Sequence, residues 1–384
     1  MNFDFSDDLK ALRDQARKFL RERDAKGAAR RVLDAGGGHD KALWQEIAQM
    51  GWIGAAIPEE HGGAGLGHLG LCVLAEELGY ALAPVPFSSS AYLAAEALLI
   101  AGSAAQKERY LPKLASGAAI GTLALAEGPG AVDAKALRAG VAAGRLTGTK
   151  LPVPDGASAD LAIVAARGER PSERGLSLFV VDLAGAGVRR EAVATIDPSR
   201  AHARLVFEGA AAEPLGAAGE GLPLLRRVFD RAAVLFAFEQ VGGAQAALDM
   251  AKAYALERYA FGRPIGSFQA IKHKLADVYV ATELARSNAY YGAWALSQDA
   301  AELPLAAAAA RVSASEAFSL AAKENIQTHG GMGFTWEFDC HLYYRRAKLL
   351  SLALGSPREW KDRLITHLET RNDSALAGAT GIAP

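Results

Sequence analysis

Apolar positions in the first third of the chain recur at helical spacing. Ser6 can cap a helix whose apolar side includes Leu9, Leu12, Ala16 and Leu20. A second helix fits residues 41–50, ending near Gly51. A loop rich in glycine follows, Ile57-Pro58-Glu59-Glu60-His61-Gly62-Gly63, and then helical stretches over 66–78, 89–101 and 106–115. From about residue 119 to 218 the period changes. Short runs rich in Val, Leu, Thr and Phe, over 121–126, 145–153, 161–166, 176–181 and 203–207, are bounded by Gly, Asp and Pro. They predict a small antiparallel sheet domain. Long helical patterns then return over 222–258, 268–296, 303–329 and 342–353. Four long helices with apolar faces predict a four-helix bundle. Gly242-Gly243 lies inside the first of them, where glycine marks a close helix crossing. The chain therefore divides into a helical domain over 1–118, a middle β domain over 119–218, a bundle over 219–373 and a disordered Ala/Gly-rich tail over 374–384.

Composition narrows the class. The 384 residues are 51% hydrophobic and 22% charged, with a net charge of −1. That length suits two or three packed units. The balance leaves neither a nucleic-acid nor a membrane-surface footprint. Cys72 and Cys340 have no CxxC spacing, so neither a metal site nor a disulfide framework is expected. The opening residues lack the basic and apolar regions of a secretory signal, and the longest apolar runs are too short to span a bilayer. A cytoplasmic location is expected.

Pattern alone stops at a mainly helical protein with a central β domain. Local motifs go further. One is Glu257-Arg258-Tyr259-Ala260-Phe261-Gly262-Arg263-Pro264-Ile265, followed by Phe268-Gln269-Ala270-Ile271. Another is Gln327-Thr328-His329-Gly330-Gly331-Met332-Gly333-Phe334. A weaker one is Leu146-Thr147-Gly148-Thr149-Lys150, and Trp52-Ile53-Gly54, Ile57-Pro58-Glu59-Glu60 and Glu76-Glu77-Leu78-Gly79 add an N-terminal signature. Together they resemble the acyl-CoA dehydrogenase family over nearly the whole chain. The resemblance implies an N-terminal helical domain, a small β-barrel-like domain and a C-terminal four-helix bundle. It also implies FAD, an acyl-CoA substrate, a homo- or hetero-tetramer and an electron-transfer flavoprotein as acceptor. In the family, FAD lies across a subunit interface. One subunit holds the flavin ring and its neighbour the pyrophosphate and adenosine.

Through this resemblance Arg258 is a fixed positive fork for the pyrophosphate, Phe261 packs on the cofactor and Gly262 permits the turn. The plainer alternative is a helix end with an arginine on its dipole, followed by a turn. Gln269 is either a cofactor contact or a capping amide. Gln327 with Gly330 and Gly331 offers an amide and backbone N–H groups suited to phosphate or ribose oxygens, or else a simple turn. His329 and Met332 read as packing residues.

Dehydrogenation of a thioester needs a carboxylate within reach of the α-proton. The resemblance places it at Leu354 or, in some members, at Ala232; neither is an acid. The loop that cradles the flavin ring reads Ala126-Glu127-Gly128-Pro129-Gly130, and the following strand carries Pro152 and Pro154 where the family has Trp and Thr. Residues for the ADP half of FAD are thus kept while those for the ring and for proton abstraction are gone. Val153-Pro154-Asp155-Gly156 and Asp197-Pro198-Ser199-Arg200 resemble the branch of bacterial heteromeric enzymes acting on dicarboxyl-CoA and steroid side-chain thioesters. Three readings follow. In the first, the chain is a subunit contributing the ADP-binding half of the FAD site, in fatty acid or steroid side-chain catabolism. In the second, it is a self-sufficient enzyme whose base has moved to Glu239, seven residues and about 10 Å along the helix from Ala232. Glu239 can equally be a structural residue bonded across the bundle. In the third, it is a non-catalytic interaction protein on the same fold.

Overall fold

The computed structural model describes residues 5–130, 137–168 and 175–380. Two compact units divide the chain, one spanning Asp7–Ala232 and the other Met1–Ser6 with Ala233–Pro384.

The first unit opens with α1 (Asp7–Glu22), α2 (Ala25–Asp34), α3 (Lys41–Gln49) and α4 (Gly67–Tyr80). Asp40 caps α3 by accepting from the Leu43 N–H. Every residue of α4 from Gly70 to Gly79 is buried, so α4 is the spine of this helical layer. A π-helix over Ser88–Ala95 runs into α5 (Glu96–Ala101), and α6 (Ala104–Ala115) starts on a capping box between Ser103 and Gln106.

The sheet follows: β1 (Gly121–Ala124), β2 (Gly140–Ala142), β3 (Arg145–Pro154), β4 (Leu161–Arg167), β5 (Leu176–Asp182), β6 (Val188–Val193), β7 (His202–Ala211) and β8 (Glu213–Leu215). Its order is β6-β7-β3-β2-β4-β5-β8, with β1 alongside β4. Most pairs are antiparallel, including β3 with β7 from Arg145↔Ala211 to Pro154↔His202. β1 and β4 instead run parallel, with Gly121 opposite Leu161. The sheet is therefore mixed rather than purely antiparallel as expected. The β2–β3 segment lies between β1 and β4 in the chain and supplies the long crossover that a parallel pair needs.

Three consecutive serines of the π-helix fasten the helical layer to the sheet. Ser88 accepts from the Arg200 guanidinium. Ser89 donates to Asp155 Oδ2 at 2.6 Å. Ser90 accepts from the Gly121 N–H at 3.2 Å. All five side chains in this set are buried, so each polar group has its partner inside the protein.

α7 (Gly221–Glu257) carries the chain into the second unit. A two-residue pair, β9 (Tyr259–Ala260) and β10 (Arg263–Pro264), leads to α8 (Gln269–Ser297), α9 (Leu303–His329), α10 (Cys340–Leu352) and α11 (Pro357–Thr380). Gly243 is a close crossing: a Cβ there would stand 2.4 Å from the Phe318 ring of α9. Phe5 returns to this unit and packs against Phe238 and Tyr290, with ring centroids 6.1 and 4.7 Å away. Ser356 and Glu359 close a capping box at the start of α11. α11 covers part of the stretch expected to be a disordered tail, and residues 381–384 of that stretch lie outside the described residues. Among the described residues, no helix is long and apolar enough to cross a membrane.

Candidate functional site

Tyr254 lies in the last turn of α7, and Arg258, the residue just after the helix, donates its N–H to the Tyr254 carbonyl at 2.9 Å. The Arg258 carbonyl accepts from the Ile265 N–H at 2.8 Å, which folds the chain back on itself. At the tip of the β9–β10 pair Phe261 and Gly262 have φ of 53° and 78°. Two positive φ values in a row are the geometry of a tight hairpin turn. A phenylalanine in that region is uncommon, and this one is 95% exposed.

α9 ends opposite this turn. Gly330 leaves the helix at φ 62°, and its N–H is bonded to the Gln327 carbonyl. A Cβ on Gly330 or Gly331 would meet open space. Tyr254, Arg258, Ile265, Thr328, His329, Gly330, Gly331, Met332 and Thr335 line a hollow of about 480 Å³. His329 stacks on Tyr254 at 4.1 Å and bonds the Asn325 carbonyl at 2.8 Å through Nδ1. Burial lowers the His329 pKa, partly offset by that carbonyl, so the ring is neutral near neutral pH.

Of the residues singled out in the sequence, Arg258, Gly330 and Gly331 thus meet at one hollow. Phe261 sits at the adjoining hairpin tip, Gln269 is the first residue of α8, and Gln327 is exposed on the last turn of α9. The hollow has a guanidinium, bare backbone and an aromatic wall. Such a set suits a phosphate group joined to a flat ring. Sequence reasoning did not single out Tyr254 or Thr335. Tyr254 could have been found, since it stands four residues before Arg258.

Glu239 lies elsewhere, inside the bundle of the same unit. It is 2% exposed and faces Arg346 Nη1 at 3.8 Å. The next residue, Gln240, accepts from Arg311 Nη1 at 2.7 Å and donates to Ser315 at 3.1 Å. Arg311 also donates to the Leu350 carbonyl near the C-terminal end of α10, where a cation is favoured by the helix dipole. Burial pulls the Arg311 pKa down to about 9, with Glu239 opposing the shift.

The two positions where the resemblance expects an acid are Leu354 and Ala232, and both are buried apolar residues. The Leu354 carbonyl is held by the Trp360 indole at 3.1 Å. In the first unit, the segment around Ala126 pairs with the end of β3. The Leu151 N–H donates to the Ala126 carbonyl at 2.8 Å. Glu127 accepts from the fully buried Lys150 at 2.8 Å and from the N–H groups of Arg138 and Ala139. Burial alone would push Glu127 up, and these donors outweigh it and hold the carboxyl below its usual range. Glu127 is therefore committed to Lys150 of β3 and to the Arg138 and Ala139 backbone. Ala126, Pro152 and Pro154 bring no side-chain donor to this edge.

Comparison with known proteins gives a consistent picture. The family model described as "Acyl-CoA dehydrogenase, N-terminal domain" matches residues 6–118, and "Acyl-CoA dehydrogenase, C-terminal domain" matches residues 219–358. The acyl-CoA dehydrogenase IpdE2 of Mycobacterium tuberculosis is 37% identical over 92% of this chain and 95% of its own. Mitochondrial isovaleryl-CoA dehydrogenase of Arabidopsis thaliana is 31% identical over 92% of this chain and 89% of its own. Among solved structures, the ChsE4-ChsE5 complex from Mycobacterium tuberculosis superposes with a TM-score of 0.86. It covers 96% of this chain and 99% of the matched chain at 28% identity.

Proposed function

Since this chain belongs to the acyl-CoA dehydrogenase family, oxidoreductases that act on the CH–CH bond of acyl-CoA, we propose that it is one subunit of a heteromeric dehydrogenase. It contributes the ADP-binding half of a FAD site. An unlike subunit supplies the flavin cradle and the catalytic carboxylate. FAD, where bound, supplies the acceptor for the hydride leaving the β-carbon.

The observation that carries this reading is an asymmetry between two regions of one chain. The hollow at the end of α7 keeps Arg258, the open Gly330-Gly331 backbone and the Tyr254–His329 stack. The positions of the base hold Leu354 and Ala232, the ring-side loop holds Ala126, and the following strand holds Pro152 and Pro154. Arg258 would hold the pyrophosphate, with Gly330 and Gly331 letting backbone approach it. Phe261, Gln269 and Gln327 flank the same route. The unit also exposes large apolar side chains near this sequence region, Leu256, Tyr259, Phe261 and Phe334 among them. Exposed aromatics of this kind suit a surface that another subunit covers. The likeness to a chain solved as part of the ChsE4-ChsE5 complex supports the heteromeric reading.

Bound FAD per protomer, measured by absorbance on the full chain purified alone and after co-expression with a co-encoded homologue, tests the reading. Near-zero occupancy alone and one FAD per pair on co-expression are expected. One FAD per protomer in the isolated chain, with turnover lost in Glu239→Gln, would instead assign proton abstraction to Glu239 and a self-sufficient enzyme.

A further inference from the structure

His329 closes α9 with one ring nitrogen used and the other left over. Its ring stacks on Tyr254 at 4.1 Å and meets the Phe338 ring in a T-shaped contact at 5.8 Å. Nδ1 lies 2.8 Å from the Asn325 carbonyl oxygen. A carbonyl oxygen only accepts, so Nδ1 carries the hydrogen and the lone pair of the neutral ring sits on Nε2. Nε2 has no partner among the described residues, and it is not sealed from solvent. The residue as a whole is only 5% exposed, and it lines the hollow of about 480 Å³. A fixed ring with one unmet nitrogen therefore belongs to the wall of that hollow.

The charges around the ring decide what Nε2 can take. α7 brings Arg258 and Tyr254 to the same hollow. On α9, Glu324 is tied to Lys274 at 3.5 Å and to Lys323 at 4.0 Å. Glu337 and Asp339 flank Phe338 at the start of α10. Burial lowers the His329 pKa and the Asn325 carbonyl alone opposes it, so no carboxylate holds a proton on the ring. Among the described residues that line the hollow, Arg258 is the one fixed cation. A pyrophosphate diester carries a negative charge on each phosphate, and a single guanidinium offsets one of them. An imidazolium at His329 would meet the other. The face of Tyr254 behind the ring favours that cation.

We propose that His329 is a proton-linked binding residue of this hollow: as a pyrophosphate enters, Nε2 takes up a proton from solvent and donates it in a hydrogen bond to a phosphate oxygen. This rests on the split FAD site proposed above and deepens it, since proton and cofactor then bind together. A ligand that favours the protonated ring binds more tightly where the ring is already protonated. The affinity therefore rises as pH falls through the histidine range.

Titration calorimetry tests this on the co-expressed assembly, stripped of flavin and titrated with FAD in two buffers of different ionisation heat. The difference in heat counts the protons taken up. Uptake of a fraction of one proton per FAD is expected near neutral pH. FAD is expected to bind about threefold or more tightly at pH 6 than at pH 8. His329→Phe keeps a ring against Tyr254 and removes the lone pair, while His329→Gln keeps a polar group that does not titrate. Uptake and pH dependence are expected to vanish in both, so misfolding of one variant does not stand in for lost linkage. Binding without proton uptake in the unsubstituted assembly overturns the linkage, as does uptake that persists undiminished in either folded variant. Flavin affinity unchanged in Arg258→Ala would take the ligand out of the hollow and overturn the split site along with the linkage, which tells the two failures apart.

Discussion

Arg346 holds its guanidinium 3.8 Å from the Glu239 carboxylate inside the C-terminal bundle, with side-chain exposures of 1% and 2%. The pair is a structural fixture of that interior whatever else Glu239 does. Removing the acid leaves a buried guanidinium without its counter-charge. Glu239→Ala is expected to lower the unfolding free energy by about 3 kcal/mol or more, read from urea midpoints. A loss under about 1 kcal/mol, the range of surface pairs, would deny the pair this role.

Arg258 belongs to the hollow rather than to the core. Arg258→Ala in the co-expressed assembly is expected to weaken FAD binding by about tenfold or more, with little change in thermal unfolding of the flavin-free protein. Arg258→Lys is expected to restore only part of the affinity, since an ammonium lacks the planar fork. Unchanged flavin affinity in Arg258→Ala would remove the residue from the site.

His202 and His39 give the first unit an acid sensitivity. Burial lowers the His202 pKa below 6.5, with Asp155, the Arg200 carbonyl and Asp197 opposing the shift and the Arg200 charge adding to it. His39 is lowered by burial and Lys41, against Asp155 and Asp40. A folded pKa below the unfolded one means that the unfolded chain takes up the proton first. The stabilisation is therefore complete above pH 6.5 and is lost as pH falls through the folded values. Denaturation midpoints measured from pH 7 downward are expected to fall just below 6.5, and less steeply in His202→Gln. An identical slope in the variant would rule His202 out as a source.

Gly243 allows α7 and α9 to touch. Gly243→Ala forces a methyl group to within 2.4 Å of the Phe318 ring and is expected to cost about 1–3 kcal/mol. Phe318→Leu in the same chain is expected to recover part of the loss. If Gly243→Ala is neutral on its own, the helices have room that the structure does not show.

This crossing was legible beforehand, because a Gly-Gly pair inside an amphipathic run has few other uses. The long helices of the bundle were legible for the same reason of period. α2 was not: Ala25-Lys26-Gly27-Ala28-Ala29 has little apolar contrast to read. β6 was hidden by Arg189, Arg190 and Glu191, which suit an edge strand facing water and break the apolar run. β8 holds only Glu213-Pro214-Leu215, too short to show alternation. In the hollow, Arg258 and the Gly330-Gly331 pair were visible as motifs, while Tyr254 became significant only once α9 brought His329 against it. The Ser89–Asp155 bond joins residues 66 apart in the chain, and no local pattern announces such a partner. Glu96, which pairs with His68 and Arg231 at 2.7 and 3.5 Å inside the first unit, was passed over because one acid in an Ala-rich stretch carries no sign of what faces it.

The three serines of the π-helix have a consequence for how this chain can change length. Each hydroxyl leaves the helix in its own direction and meets a different segment: the loop before β7, the residue after β3, and the start of β1. Side chains can be exchanged here one at a time, but residues cannot be added or removed. Deleting one residue, the simplest way to return the wide turn to α pitch, would swing everything on one side of the deletion by about 100°. The serines would then turn away from the sheet, or Glu96 from His68 and Arg231. The spacing between the strands and the charged cluster is thus stored as a count of residues, a form of information that substitution leaves intact and a single deletion erases.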